Sequence, residues 1–235
     1  MNRVVVVTGA SRGIGRAVAD GLARDGYELA LVARGQAELE RLVRELPDNG
    51  GRVHSVHVVD VSDPEAIEVE MEGILARHGR IDVLVNNAGA YVAGGLDLVA
   101  GEFDQMIGVN LVAPFHFMRA ALPAMMSQGS GHVFNVASRA GLVGFAGDGG
   151  YVASKFGLVG LSASVYRQYS AAGIGVTAIC PGWTDTAMAA ESGTPLAPEE
   201  MIQPTDILET MRWLLRLSPA ARVREVMLEC RLSIS

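Results

Sequence analysis

The chain has 235 residues, 49% of them hydrophobic, which is enough to bury one large core and fits a single α/β domain over 1–235. A formal charge of −7 disfavours nucleic acid and anionic membrane surfaces as partners, since both call for a basic face. No apolar run approaches the roughly 18 residues of a membrane span, the opening "MNRVVVVTGASRG" is too short in its apolar part for a secretory leader, and Cys180 and Cys230 lie near no histidine in a metal-ligand spacing, so a reduced, metal-free, cytoplasmic protein is expected.

In chain order, β-branched apolar runs at 4–7, 28–32, 53–59, 81–85, 132–136, 175–180 and 225–228 predict seven strands. They read as continuous apolar runs rather than alternating ones, which implies cover on both faces. Amphipathic stretches separate them, among them "GQAELERLVREL" and "DPEAIEVEMEGILARHG". The second opens with Asp63 as N-cap and Pro64 at the first helical position, and Gly79 stops it. Alternation of this kind predicts an α/β, doubly wound Rossmann-type fold with a mostly parallel seven-stranded sheet and helices on both faces. His54 and His57, three apart in a predicted strand, face opposite sides and make no ligand pair. Two helical stretches, 111–126 and 151–166, are apolar nearly all round, so they are buried either by their own chain or by a second subunit. A homodimer or homotetramer is expected.

In an open parallel sheet, ligands bind beyond the carboxyl ends of the strands. After the first strand comes "TGASRGIG", with Thr8, Gly9, Ser11, Arg12, Gly13, Ile14 and Gly15 leading straight into a helix. Glycines let backbone approach a pyrophosphate, and a helix N-terminus offers it N–H groups. The spacing is G-x-x-x-G-x-G, with Val18 where the commoner dinucleotide fingerprint has Gly or Ala, so a plain tight turn is the competing reading. The second strand ends "LVAR". Asp60 and Val61 follow the third strand, and "NNAG" (86–89) the fourth. Asn110 lies in "MIGVNLV", and Ser138 follows the fifth strand in "NVASRAG". Then comes "YVASKFG", which holds Tyr151 and the only lysine of the chain, Lys155, and after the sixth strand "PGWTDT" (181–186).

These motifs, in this order from Thr8 to about Thr186, resemble the short-chain dehydrogenase/reductases. The resemblance implies an oxidoreductase in which Tyr151 is the general acid that protonates a carbonyl oxygen as hydride arrives. Positions i and i+4 share a helix face, so Tyr151 and Lys155 can meet there with the cofactor ribose, and both are expected to bind the cofactor as well. An ammonium about 4 Å away, contributing up to about 4 kcal/mol, would lower the phenol's pKa from about 10 by roughly three units. Ser138 resembles the serine that hydrogen-bonds the substrate carbonyl. A hydrolase nucleophile is the rival, but Val136 and Ala140 occupy the glycine positions of G-x-S-x-G. Asn110 matches the asparagine of the family's proton relay, although a buried structural amide is the other reading. Asp60 and Val61 match the adenine contact, and Asn87, Ala88 and Gly89 the loop along the adenine-side ribose. Asn86 is read as a tie between strands. Pro181, Gly182, Thr184 and Thr186 match the stretch around the nicotinamide and its phosphate.

NAD-preferring relatives carry an acid at the position of Ala33. Here the acid is missing, Arg34 follows and Arg12 lies in the glycine turn, which suits a 2′-phosphate and hence NADP(H). The substrate walls are expected from 90–92, 142–145 and 183–203. The last segment is mainly apolar, with Glu191, Glu199, Glu200 and no basic residue, which suggests a largely apolar carbonyl compound without an anionic tail. Strand alternation would turn Arg139 away from Ser138. The ending "VREVMLECRLSIS" replaces the glycine-containing end of the family's 3-oxoacyl-carrier-protein reductases. An NADPH-dependent carbonyl reductase is the leading reading. The alternatives are a 3-oxoacyl-carrier-protein reductase and, because fold does not fix function, an NADP(H)-binding sensor.

Overall fold

Four valines in a row can all be buried only where both faces of a strand are covered. The computed structural model, which describes residues 2–47 and 52–232, covers them in this way. Among the described residues the strands are β1 (Val4–Thr8), β2 (Glu28–Ala33), β3 (Ser55–Val58), β4 (Val83–Asn86), β5 (Gly131–Val136), β6 (Ile174–Pro181) and β7 (Glu225–Leu228). The helices are α1 (Gly13–Arg24), α2 (Gln36–Glu45), α3 (Pro64–His78), α4 (Glu102–Ile107), α5 (Ala113–Gln128), α6 (Gly149–Tyr169), α7 (Ala187–Glu191) and α8 (Pro204–Arg216). The last three residues of the chain's ending, 233–235, lie outside the described residues.

The strands form one sheet in the order β3-β2-β1-β4-β5-β6-β7, with every pairing parallel. Val5 and Val7 of β1 face a core shared with α1, α2 and α8 through Leu22, Leu39 and Met211. Val6, one residue out of step, faces the opposite core with Ile67 and Met71 of α3 and Phe117 of α5. The doubly wound sheet expected from the apolar runs is therefore present, and each core is fed by alternate residues of the same strands. From β1 the chain works outward to β3, then returns to lay β4 on the other side of β1. That reversal opens a crevice at the carboxyl ends of β1 and β4.

Local chemistry fixes several element ends. Asp63 Oδ1 accepts from the N–H groups of Glu65 (3.0 Å) and Ala66 (3.2 Å), so two donors of the first turn of α3 are satisfied. Gly79 ends that helix with φ 72°, in the left-handed region that favours glycine. Asn86 Nδ2 donates to Asn135 Oδ1 at 2.8 Å and so ties β4 to β5, as its sequence position suggested. The predicted strand at 53–59 contracts to β3, and His54 stands outside it, with Nδ1 accepting from Leu29 N. Ahead of α5 the chain makes a π-helical turn, Gly108–Val112, which no pattern in the sequence announces. Among the described residues no helix is long and apolar enough to cross a membrane.

Candidate active site

Six strands deliver the residues beyond their carboxyl ends into one cleft of about 670 Å³. The first wall is the turn between β1 and α1. Gly9 (φ 63°) and Gly13 (φ 54°) hold conformations that side chains rarely adopt, and a Cβ on Gly15 would collide with the Gly9 carbonyl oxygen. The turn is locked to β4 by Thr8 and Asn87. Thr8 Oγ1 accepts from Asn87 N (2.9 Å) and Ala88 N (3.0 Å), while Asn87 Nδ2 donates to Thr8 O (3.0 Å) and Gly9 O (3.2 Å). Arg12 occupies the N-cap of α1 without a side-chain cap, so the first-turn N–H groups face the cleft without an acceptor from that residue.

At the same end lie Arg12, Arg34, Asp60 and Glu38. Asp60 accepts from Ser62 N (3.0 Å) and Ser62 Oγ (2.8 Å); these bonds, with the nearby Arg34 charge, hold its carboxyl below the usual range. Glu38 is an acid that strand-end reasoning missed. Its carboxylate folds back from the first turn of α2 over Gly35, where a Cβ would collide with it.

At the other end β5 delivers Ser138, which caps a short 3-10 turn by accepting from Ala140 N at 3.1 Å. Helix α6 presents Tyr151 and Lys155 on one face. The lysine Nζ stands 5.6 Å from the centre of the tyrosine ring and donates to Val136 O at 3.0 Å. The expected lowering of the phenol by the ammonium is not what this geometry produces. Burial pushes Tyr151 up to about 12, with Ser138 pulling against it and Asp148 adding to it. Burial also pulls Lys155 down to about 8. The ammonium sits over the ring and against a carbonyl, and for both groups the loss of water is the largest cause of the shift.

Nearly all of the sequence-derived site residues line this cleft: Gly9, Ser11, Arg12, Gly13, Ile14, Arg34, Asp60, Val61, Asn87, Ala88, Gly89, Ser138, Tyr151, Lys155, Pro181, Gly182, Thr184 and Thr186. Gly15 and Asn110 do not. Gly15 lies beneath the turn. Asn110, fully buried, commits both amide hydrogens, to Ala90 O (2.9 Å) and Ser154 Oγ (2.9 Å), and accepts from Ala90 N (2.8 Å). Its side chain thus fastens the loop after β4 to α6, with both amide hydrogens committed.

The substrate end corrects two expectations. Arg139 does line the cleft, because the chain leaves β5 for the 3-10 turn and strand alternation stops there. Its guanidinium lies over Phe145, 5.3 Å from the ring centre, and pairs with Glu229 at 3.2 Å. Of the expected walls, Ala90, Tyr91, Phe145, Trp183, Thr184, Thr186, Ala187, Met188, Ala189 and Ser192 line the cleft, whereas Val92, Asp185, Ala190, Glu191 and the stretches 142–144 and 193–203 do not. Gln105, Val109 and Asp148 also line it and went unseen in the sequence. Asp148 stands three residues before Tyr151, but nothing in spacing marks it as a wall residue.

Residues 3–196 match the family model described as short chain dehydrogenase. An uncharacterized oxidoreductase of Staphylococcus saprophyticus is 32% identical over 228 residues, covering 96% of each chain. A 3-oxoacyl-[acyl-carrier-protein] reductase of Staphylococcus aureus is 35% identical over 225 residues, covering 91% of each. The solved alcohol dehydrogenase of the archaeon Thermococcus sibiricus, complexed with 5-hydroxy-NADP, is 34% identical with a TM-score of 0.91, covering 100% of this chain and 99% of that one.

Proposed function

The chain belongs to the short-chain dehydrogenase family, and from that premise we propose that it is a cytoplasmic, NADPH-dependent reductase that converts a ketone or aldehyde to an alcohol. The observation that carries the reading is the convergence of Ser138, Tyr151 and Lys155 on one end of a cleft whose other end holds the glycine turn, Arg12 and Arg34.

The residues present fit a phosphorylated dinucleotide. The Gly9–Gly15 contact leaves no room for a side chain between turn and helix, so backbone can approach a pyrophosphate there. Arg12 and Arg34 suit a 2′-phosphate by charge-assisted contacts, and Ala33 offers no carboxylate to repel it. Glu38 and Asp60 lie at the same end, with Asp60 taken up by Ser62, so the preference rests on the two cations outweighing the carboxylate of Glu38. Asp60 and Val61 would hold the adenine. Asn87, Ala88 and Gly89 would lie along its ribose, and Pro181, Gly182, Thr184 and Thr186 would surround the nicotinamide. When bound, the reduced nicotinamide supplies a hydride to the carbonyl carbon.

The chain's own residues handle the proton. Ser138 Oγ donates to the carbonyl oxygen and fixes its direction. Tyr151 Oη gives that oxygen its proton, and the product is the alcohol. Because burial keeps the phenol protonated to about pH 12, the proton is present at every physiological pH. Lys155, held by the Val136 carbonyl, brings positive charge to the phenolate that remains, and water restores the proton.

The test is oxidation of NADPH, with NADH in parallel, against aldehydes, ketones, quinones and 3-oxoacyl thioesters. Turnover of a ketone or aldehyde with higher kcat/KM for NADPH is expected, as is a loss of at least about a hundredfold in Tyr151→Phe, the scale of a general acid. Binding of NADPH without turnover of any carbonyl would instead favour a sensor. The Staphylococcus aureus relative favours a second reading, a 3-oxoacyl-carrier-protein reductase. Thioesters outrunning simple ketones would establish it.

A further inference from the structure

Nothing in the proposed reaction uses Asp148, yet its carboxylate is fixed in the substrate half of the cleft. By position it is the N-cap of α6, but its side chain makes no capping hydrogen bond. It turns instead toward the loop after β4, where Asp148 Oδ1 accepts from Tyr91 Oη at 2.9 Å. Tyr91 in turn sets the edge of its ring against Tyr151, with centroids 5.2 Å apart and planes at 83°. The backbone holds the two loops together as well, since Gly94 N donates to Gly147 O at 2.8 Å. Among the described residues the structure gives Asp148 Oδ2 no hydrogen-bond partner.

The charges around it are already placed. Arg139 is engaged with Phe145 and Glu229, and Lys155 with Val136 O. Desolvation and its bond to the carboxylate push the Tyr91 phenol up to about 12, so it remains a donor and Asp148 remains the acceptor. Asp148 lines the same cleft as Tyr151, three residues before it, and its charge adds to the raising of the Tyr151 phenol. A half-buried carboxylate with one oxygen fixed and the other unpartnered favours a ligand that brings a donor and disfavours one that brings an anion.

We propose that Asp148 is a specificity-determining residue that accepts a hydrogen bond from a hydroxyl or ammonium group carried near the reacting carbonyl of the substrate, with Tyr91 as the positioning residue that aims it. The substrate class is then a hydroxy- or amino-substituted ketone or aldehyde with an apolar body lying against Phe145, Trp183 and Met188. Keto acids are excluded by like charge. This inference rests on the reductase reading above and names the substrate for that same site.

The experiment uses matched ketones of equal length ending in methyl, hydroxyl, ammonium or carboxylate, together with a non-reducible amino alcohol as a binding probe. In the wild type, kcat/KM for the hydroxyl and ammonium ketones should exceed that for the methyl ketone by about tenfold or more, the scale of a polar contact in a closed site. The carboxylate should be the poorest. Asp148→Asn should collapse the ammonium-to-carboxylate ratio by at least about tenfold, mainly through KM, and Tyr91→Phe should narrow the same ratio in the same direction. The amino alcohol should raise the melting temperature of wild-type protein and fail to do so in Asp148→Asn. The wild-type ranking needs no variant, so it stands even if a variant fails to fold. Ketones reduced without preference among the four would overturn the inference and leave the reductase reading intact. Binding of the amino alcohol through Asp148, with no ketone turned over, would support the site while removing the reductase reading.

Discussion

Lys155 is the only lysine in the chain, and it is 4% exposed, with the Val136 main-chain carbonyl as its one hydrogen-bond acceptor among the described residues. Burial lowers its pKa from 10.5 to about 8. Below pH 8 the lysine is charged in both the folded and the unfolded chain, and the fold bears the full cost of the buried ammonium. Between about 8 and 10.5 the unfolded chain binds more protons than the folded one, so stability rises with pH. Above that range the contribution is constant. A shift of this size corresponds to an upper bound on the order of 3 kcal/mol, and the hydrogen bond to Val136 O offsets about 1 kcal/mol of it. Lys155→Met should therefore melt several degrees above the wild type at pH 7, while losing activity. The gap should shrink as the pH is raised toward 10. Thermal denaturation across that pH range decides it. A wild type that melts higher than the variant at pH 7 would mean that the carbonyl contact outweighs the burial cost.

The turn between β1 and α1 is the element in which sequence and geometry agree most closely. Gly15→Ala would drive a methyl group into the Gly9 carbonyl oxygen, and Gly9 cannot easily yield because Asn87 Nδ2 bonds it and the residue is held at φ 63°. The variant should lose at least about tenfold in NADPH affinity, since the turn must open by more than a hydrogen-bond length can absorb. Gly73→Ala is the control. That glycine lies inside α3, where an added Cβ meets nothing within 4 Å, so the change should stabilise the helix by about 1 kcal/mol and leave binding alone. Fluorescence titration and thermal melts of the two variants separate a local steric effect from a general intolerance of alanine.

The same elements show what a sequence can disclose. Runs such as Val4 to Val7 disclose a strand covered on both faces, and Asp63 with Pro64 discloses a helix start, because the causes lie within a few residues. The π-helical turn Gly108–Val112, the pairing of Tyr91 with Asp148 and the return of Glu38 over Gly35 stayed hidden. Each depends on which segments the finished fold brings together. Arg139 was misplaced for a related reason: the period of two holds only while the chain remains a strand, and the strand ends at Val136.

Over the whole molecule, what remains to be explained is the outer surface of α5 and α6. Both helices are apolar nearly all round, and within one chain they leave Phe115 44% exposed, Met126 48% and Phe156 44%. Arg119 reaches over the Phe115 ring and pairs with Glu68, which covers part of that surface and still leaves Phe115 nearly half exposed. Fully burying a side chain of this size contributes about 1.5–3 kcal/mol, so half-exposed rings on two helices represent several kcal/mol recoverable by association. We infer a homodimer or homotetramer that covers these faces. The consequence reaches the chemistry, because α6 carries Tyr151 and Lys155 toward the cleft and Phe156 toward solvent. A subunit packed against Phe156 would brace the helix that aligns the proton donor. Light scattering after size exclusion should give a mass of at least two chains at micromolar concentration. Phe115→Asp combined with Phe156→Asp should yield a folded species of lower mass, with kcat reduced more than NADPH affinity, because the turn proposed to hold the dinucleotide leads into α1 rather than α6. A wild type that elutes as a monomer would reject the assembly, and full turnover in a dissociated variant would show that α6 needs no support from a neighbour.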